Sequence, residues 1–282
     1  MKRHLRRALP LLLLPALLCA ACAPRSAAPE GADMEAHFFA AGAADAILLT
    51  TAEGAVLIDC GEQGFGGEIL AYLEEKGVER LDYLIVTHFD KDHVGGAAKV
   101  INNVAVGTVL QSNRPKDSEE YEKYGKALQN AGIEPVTVRT AYRFELDGVR
   151  YAVDPPRQTD YDEDASNNSS LIVTVRNGAD CFLLMGDTQT ARLTEFLSAA
   201  VEPCAVLKVP HHGRDEPLAE ELARAASPAY AVVTSSEEEP ESAATVAALE
   251  SCGATVLLTR EGAVTAYSGG AGVRVVQDGN EI

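Results

Sequence analysis

The sequence predicts an α/β (α+β) fold in which two sheets pack together with helices on the outside. Three observations predict it. Apolar runs of strand length recur from residue 38 to residue 267, with helical stretches interleaved. Such runs dominate the start of each half and return late in the chain, which suits two sheets better than one doubly wound sheet. Three of the runs stop at groups of imidazoles or carboxylates, as buried strands do where they reach an active-site loop.

Residues 38–39, 46–50 and 55–59 read as consecutive short strands separated by Gly-containing turns. Residues 66–76 are helical, with Ile69, Leu70 and Leu73 on one face and Gly77 as the stop. The strand 81–86 delivers the main cluster, Thr87-His88-Phe89-Asp90-Lys91-Asp92-His93-Val94-Gly95-Gly96. The small apolar residues 94–100 then suit a helix packed tightly beneath that loop. Residues 121–131 form a polar helix ending at Gly132, and 143–153 a hairpin turning at Asp147-Gly148. Residues 154–168 are acidic and turn-rich, a loop expected near the site. Strands follow at 170–175 and 181–185, a helix at 188–198 and a strand at 205–209. The tail alternates a helix at 217–226, a strand at 230–234, a helix at 242–252, and strands at 255–258 and 263–267. The Gly-rich stretch 61–67 lacks nucleotide-loop spacing and reads as a flexible turn before a helix.

The ends and the composition set further bounds. Lys2, Arg3, Arg6 and Arg7 precede an apolar stretch, 9–21, that is interrupted by Pro10 and Pro15. It is too short for a membrane span and right for an export signal. Ala21 before Cys22 resembles a lipoprotein cleavage site, so the expected order is a signal at 1–22, a flexible tether at 23–33 and one domain at 34–282. A lipid anchor at Cys22 would be the one membrane contact of an exported, cell-surface or secreted protein. The formal net charge is −18, and removing the basic leader makes it more negative. With no basic cluster, tight nucleic-acid binding is not expected, whereas metal-dependent attack on a phosphoester is compatible. Outside the leader, Cys60, Cys181, Cys204 and Cys252 form no C-x-x-C pair, which argues against a thiolate zinc site.

Six histidines are present. His4 lies in the leader, and His37 reads as a surface or packing residue. The other four fall in two strand-end clusters, His88 with His93 and His211 with His212, the second within Lys208-Val209-Pro210-His211-His212-Gly213. Gly186-Asp187 ends a third apolar run, and a buried Asp needs a cationic partner to stay ionised. Ligand type, spacing and position point to a metal site.

On these residues the chain resembles the metallo-β-lactamase superfamily, and within it the branch found as the C-terminal hydrolase-like domain of the bacterial competence protein ComEC. The superfamily motif His-x-His-x-Asp-His stands here as His88-x-Asp90-x-Asp92-His93, and an Asp in second place marks the competence-type branch. Gly42 to Ala46, Leu57 to Gly61, Asn167 to Leu171, Leu184 to Asp187 and Leu207 to Gly213 extend the likeness. No His stands between His93 and Asp187, so the third-motif histidine has no counterpart, and Asn168 and Ser169 occupy that region.

The resemblance implies an αββα four-layer sandwich and two divalent metal ions, Zn or Mn. One ion would be held by His88 and Asp90, the other by Asp92, His93 and one of His211 or His212, with His212 favoured and Asp187 bridging. Asp92 and a substrate-facing His211 would serve catalysis, and Asp59 would orient a ligand. A first position rich in carboxylate lets Mn²⁺ compete with Zn²⁺. The expected activity is hydrolysis of a phosphoester or other small-molecule substrate. The alternatives are hydrolysis of a lactam, lactone or phosphocholine ester, and a metal- or ligand-binding module without turnover.

Overall fold

The computed structural model describes residues 31–282, so the export signal and most of the tether lie outside the described residues. Among the described residues, nine strands form one sheet. Their spatial order is Asn280–Glu281, Val273–Gln277, Val264–Ser268, Met34–Phe38, Ile47–Thr50, Ala55–Ile58, Arg80–Val86, Ala105–Gln111 and Val136–Thr137. Seven strands form the other, in the order Thr255–Leu258, Tyr230–Val233, Val206–Lys208, Asp180–Leu184, Ile172–Asn177, Val149–Asp154 and Tyr142–Leu146.

Side-chain alternation produces the layers. In Arg80–Val86, Ile85 joins the core between the sheets, while Leu84 and Val86 face the helices of the first half. In Asp180–Leu184, Phe182 and Leu184 point between the sheets, and Cys181 and Leu183 point to the helices of the second half. Strands buried on both faces read as continuous apolar runs, which is why these segments stood out in the sequence. Three apolar clusters result, one between the sheets and one under each helical layer, giving four layers ordered helix, sheet, sheet, helix.

Each half contains a parallel set. Ala55–Ile58, Arg80–Val86 and Ala105–Gln111 run parallel, with the helices Gly66–Lys76 and Ala97–Asn103 as crossovers. Asp180–Leu184, Val206–Lys208, Tyr230–Val233 and Thr255–Leu258 do the same, with Thr190–Leu197, Ala219–Ala226 and Ala243–Ser251 between them.

Several elements differ from expectation. Ala105–Gln111 and Val273–Gln277 are strands that the sequence reading left out. The first is rich in small residues and contains Gly107, where an added Cβ would lie 2.8 Å from the Asp82 carbonyl oxygen. The second pairs with Val264–Ser268 and carries Arg274, whose charge hides the strand pattern. The first strand is Met34–Phe38, so His37 sits inside it, stacked on Tyr72 and 2.8 Å from the Thr265 hydroxyl as a packing residue. The strand expected at 170–175 is Ile172–Asn177, preceded by a short 3₁₀ turn at Asn167–Ser169. The stretch after His93 breaks at Gly95-Gly96 into the turn Lys91–Val94 and the helix Ala97–Asn103.

The break holds the ligand loop against its neighbours. Cys60 N donates to the His93 carbonyl, and Gly96 N donates to that of Gly61. A Cβ on Gly96 would lie 2.2 Å from the Cys60 carbonyl oxygen and 2.9 Å from the Gly66 nitrogen, both backbone atoms. Gly96→Ala is therefore expected to destabilise the fold by about 1–3 kcal/mol, the usual range for overpacking. Chemical denaturation measures it, and an unchanged midpoint would contradict the close approach.

Candidate metal centre

The centre lies along one shared edge of the two sheets. Asp59, Thr87, Gly186-Asp187, Pro210–Gly213 and Thr234 each follow the carboxyl end of a parallel strand, where ligand sites of α/β sheets form. Asp45 reaches the same edge because Ile47–Thr50, which it precedes, is antiparallel to Ala55–Ile58. Ser170 does so because Ile172–Asn177 is antiparallel to Asp180–Leu184. The backbone bends sharply to aim the side chains. Asp59 at φ 55°, His211 at φ 47° and His212 at φ 55° all occupy the left-handed region, an unfavourable state for residues with a Cβ that tends to gather at functional sites.

Four groups converge. Asp187 Oδ1 is 3.2 Å from His93 Nε2, and its Oδ2 is 3.2 Å from His212 Nε2. Asp92 Oδ2 is 3.2 Å from His212 Nε2 and 3.7 Å from His93 Nε2. The ligand atoms of these four residues lie within 4.8 Å of one another. On the other side of Asp187, His88 Nε2 is 4.0 Å from its Oδ2 and 3.8 Å from Asp90 Oδ1. Among the described residues, the buried atoms His88 Nε2, His93 Nε2 and Asp187 Oδ1 have no hydrogen-bond partner. Two nitrogens and one oxygen, buried and unpartnered beside Asp187, suit ligation of divalent cations.

A supporting layer fixes which nitrogen faces inward. Asp59 Oδ2 takes the proton of His93 Nδ1 at 2.8 Å and that of the Thr87 hydroxyl at 2.6 Å, and its Oδ1 accepts from Thr87 N. The Thr234 hydroxyl donates to Asp45 Oδ1 at 2.7 Å, so it accepts from His212 Nδ1 at 3.0 Å. Both imidazoles thus turn Nε2 to the centre through a carboxylate behind them, one directly and one through a hydroxyl. Lys208, fully buried, pairs with Asp45 Oδ2, donates to the Gly186 carbonyl at 3.0 Å and stands 3.7 Å from Asp187 Oδ1.

The electrostatics record the demand for positive charge. Burial works against ionised Asp187, yet His212 and His93 hold its carboxyl well below the usual range. Burial works against charged His93 too, but Asp187, Asp59 and Asp92 raise it well above its ordinary value. His212 is raised to about 9, with Asp187 the main opponent of burial. His88 goes the other way, to about 4, through burial and the neighbouring His93. In the metal-free chain protons on His93 and His212 stand in for a cation.

Of the residues singled out in the sequence, His88, Asp90, Asp92, His93, Asp187 and His212 meet here. His211 stands at the rim, half-buried, with its Nε2 3.3 Å from the Asn167 amide nitrogen. Lys208 and Asp45 were quoted only as matching residues, and their pairing was missed; a lysine inside an apolar strand was the available signal. Lys116 and Ser166, which both hold Asp90, gave none.

A profile described as the metallo-beta-lactamase superfamily matches residues 40–235. The chain belongs to the metallo-β-lactamase superfamily. Among curated superfamily relatives, "ComE operon protein 3" of Bacillus subtilis is 29% identical over 170 residues, which cover 59% of this chain and 21% of that protein. "Recombination protein 2" of Haemophilus influenzae is 26% identical over 190 residues, 66% of this chain and 22% of that protein. The matches thus span about a fifth of the length of these curated relatives. The metallo-β-lactamase fold protein YhfI of Bacillus subtilis superposes with a TM-score of 0.56 at 11% identity, covering 80% of this chain and 95% of that one, a likeness of fold alone.

Two outcomes follow from the superfamily centre. Asp59→Asn removes the charge behind His93 and is expected to weaken divalent-ion binding roughly 10- to 100-fold, read by chelator competition. For metal-free protein, a His212 value raised to about 9 from 6.5 gives stability that is complete below 6.5 and lost as pH rises through about 9. The melting temperature of EDTA-treated protein should therefore fall across that interval; a flat or rising profile would contradict the assignment.

Proposed function

We propose that the chain is an exported hydrolase that uses two divalent ions, Zn or Mn, to cleave a phosphoester. The observation that carries this reading is Asp187, buried between the Nε2 atoms of His93 and His212, with the inward nitrogens of His88 and His93 lacking hydrogen-bond partners among the described residues. His88 and Asp90 would hold the first ion, Asp92, His93 and His212 the second, and Asp187 would bridge. Bound there, such ions lower the pKa of water from 15.7 to about 7 and polarise a phosphoryl oxygen.

The chain's own groups then take separate tasks. Asp92, held well below the usual carboxylate range despite burial, chiefly by His93 and His212, is ionised and accepts a hydrogen bond from the attacking water. Asp59 and the Asp45–Thr234 pair keep the two imidazoles from turning. His211 is lowered by burial and is neutral near pH 7. The Asn167 amide, which also donates to Gln189, faces its Nε2, so the proton sits on Nδ1. That N–H, at the rim, is the donor for a substrate oxygen. The strongly negative charge favours a small phosphoester over a long nucleic acid. Export, with an anchor at Cys22, rests on the leader sequence.

A second reading has an observation in its favour. No His stands between His93 and Asp187 in the sequence to supply a third-motif ligand, so the first position rests on His88, Asp90 and Asp187, and a binding module without turnover is the competitor. Hydrolysis of bis(p-nitrophenyl) phosphate separates them. The expected result is activity that EDTA abolishes, that Mn²⁺ or Zn²⁺ restores, and that Asp187→Ala lowers by at least ~100-fold, in line with loss of a bridging ligand. Turnover of lactams or lactones alone would assign another bond, and no turnover of any of them would leave the binding module.

A further inference from the structure

Asp90 and Asp92 are two residues apart but meet different partners. Asp92 Oδ2 faces the imidazole nitrogens of His93 and His212. Asp90 Oδ1, the oxygen nearest His88 Nε2, takes the ammonium of Lys116 at 2.6 Å and the hydroxyl of Ser166. The residues that would serve the first ion therefore already contain a cation, fixed to the very oxygen that faces His88.

Lys116 is held there by its loop. The segment between the strand Ala105–Gln111 and the helix Glu119–Ala131 is moored twice to the facing loop. Ser112 Oγ donates to the Ser169 carbonyl at 2.7 Å, and Arg114 pairs with Asp160. Lys116 lies between these ties and the Ser118 cap, whose hydroxyl accepts from Tyr121 N. The side chain keeps one third of its surface in solvent, so it can leave Asp90 without unfolding anything.

We propose that Lys116 is an internal cation for the first metal position. Its ammonium occupies Asp90 and must swing away before a divalent ion can be shared by His88, Asp90 and Asp187, which makes this position the weaker of the two. The inference rests on the two-metal reading above and adds the residue that sets the difference in affinity. A metal bound at a usual distance of about 2.1 Å from Asp90 Oδ1 would lie within about 5 Å of the ammonium in its present place, a strong like-charge repulsion. At the second position no ammonium sits on the Asp92 carboxylate: Lys208, 3.7 Å from Asp187 Oδ1, is held by Asp45 and the Gly186 carbonyl, and an ion there displaces only protons from His93 and His212.

The test is a calorimetric and chelator-competition titration of metal-free protein with Zn²⁺ alone. It compares the unaltered chain with Lys116→Met and Lys116→Arg, with thermal melts to confirm folding. The expected result is one tight and one weak step in the unaltered chain. Lys116→Met should tighten the weak step by about tenfold or more and leave the tight step within about twofold, while Lys116→Arg keeps the original pattern. A weak step unchanged or weakened in Lys116→Met, or two equal steps in the unaltered chain, would overturn the inference and leave the hydrolase reading standing. No bound ion in any of the three would overturn both.

Discussion

A carboxylate withheld from water must have positive charge beside it, and Asp187 imposes that requirement on everything around it. Its two oxygens face the Nε2 atoms of His93 and His212, with Lys208 close behind. Those imidazoles in turn need acceptors on their outer nitrogens, which Asp59 and the Thr234–Asp45 pair supply. Asp45 then needs a cation of its own, and Lys208 closes the circuit. Removing any member leaves another buried charge alone, so the arrangement stands as a unit.

The sandwich exists to bring these groups together. The two parallel sets are built on the same plan, with strands entering from one side and loops turning at the other. Asp92 and His93 arrive from the first set, Asp187 and His212 from the second. Each set presents half of a centre on its own edge, and the apolar core between the sheets fixes their spacing. Close packing at Gly95-Gly96 and left-handed backbone at Asp59, His211 and His212 do the final aiming.

Much of this was readable in advance. His88, Asp90, Asp92, His93 and Asp187 follow unbroken apolar runs, and His212 follows one interrupted only by Lys208; a strand buried on both faces advertises itself by its near lack of polar residues. The two-sheet architecture followed from the order of those runs. What stayed hidden depends on distance through space. Lys116 and Ser166 are ordinary loop residues until folding sets both on Asp90. The left-handed turn at His211 and His212 fixes which imidazole faces inward, and the two letters side by side do not disclose it. Ala105–Gln111 escaped because Gly107 and small side chains imitate a loop, while its partners Arg80–Val86 and Val136–Thr137 supply the order.

The strand Met34–Phe38 lies inside its sheet, with Ile47–Thr50 on one side and Val264–Ser268 on the other. The first neighbour follows it almost at once in the chain, whereas His37 and Thr265 are 228 residues apart. During synthesis that flank has unpaired backbone donors and acceptors until the strands of the second sheet have been made, an adhesive edge towards other chains. Loop closure across such a separation also makes for slow, late completion of the sheet. The early half can therefore collapse around its helices without being finished, and its last partner arrives only after the whole second sheet.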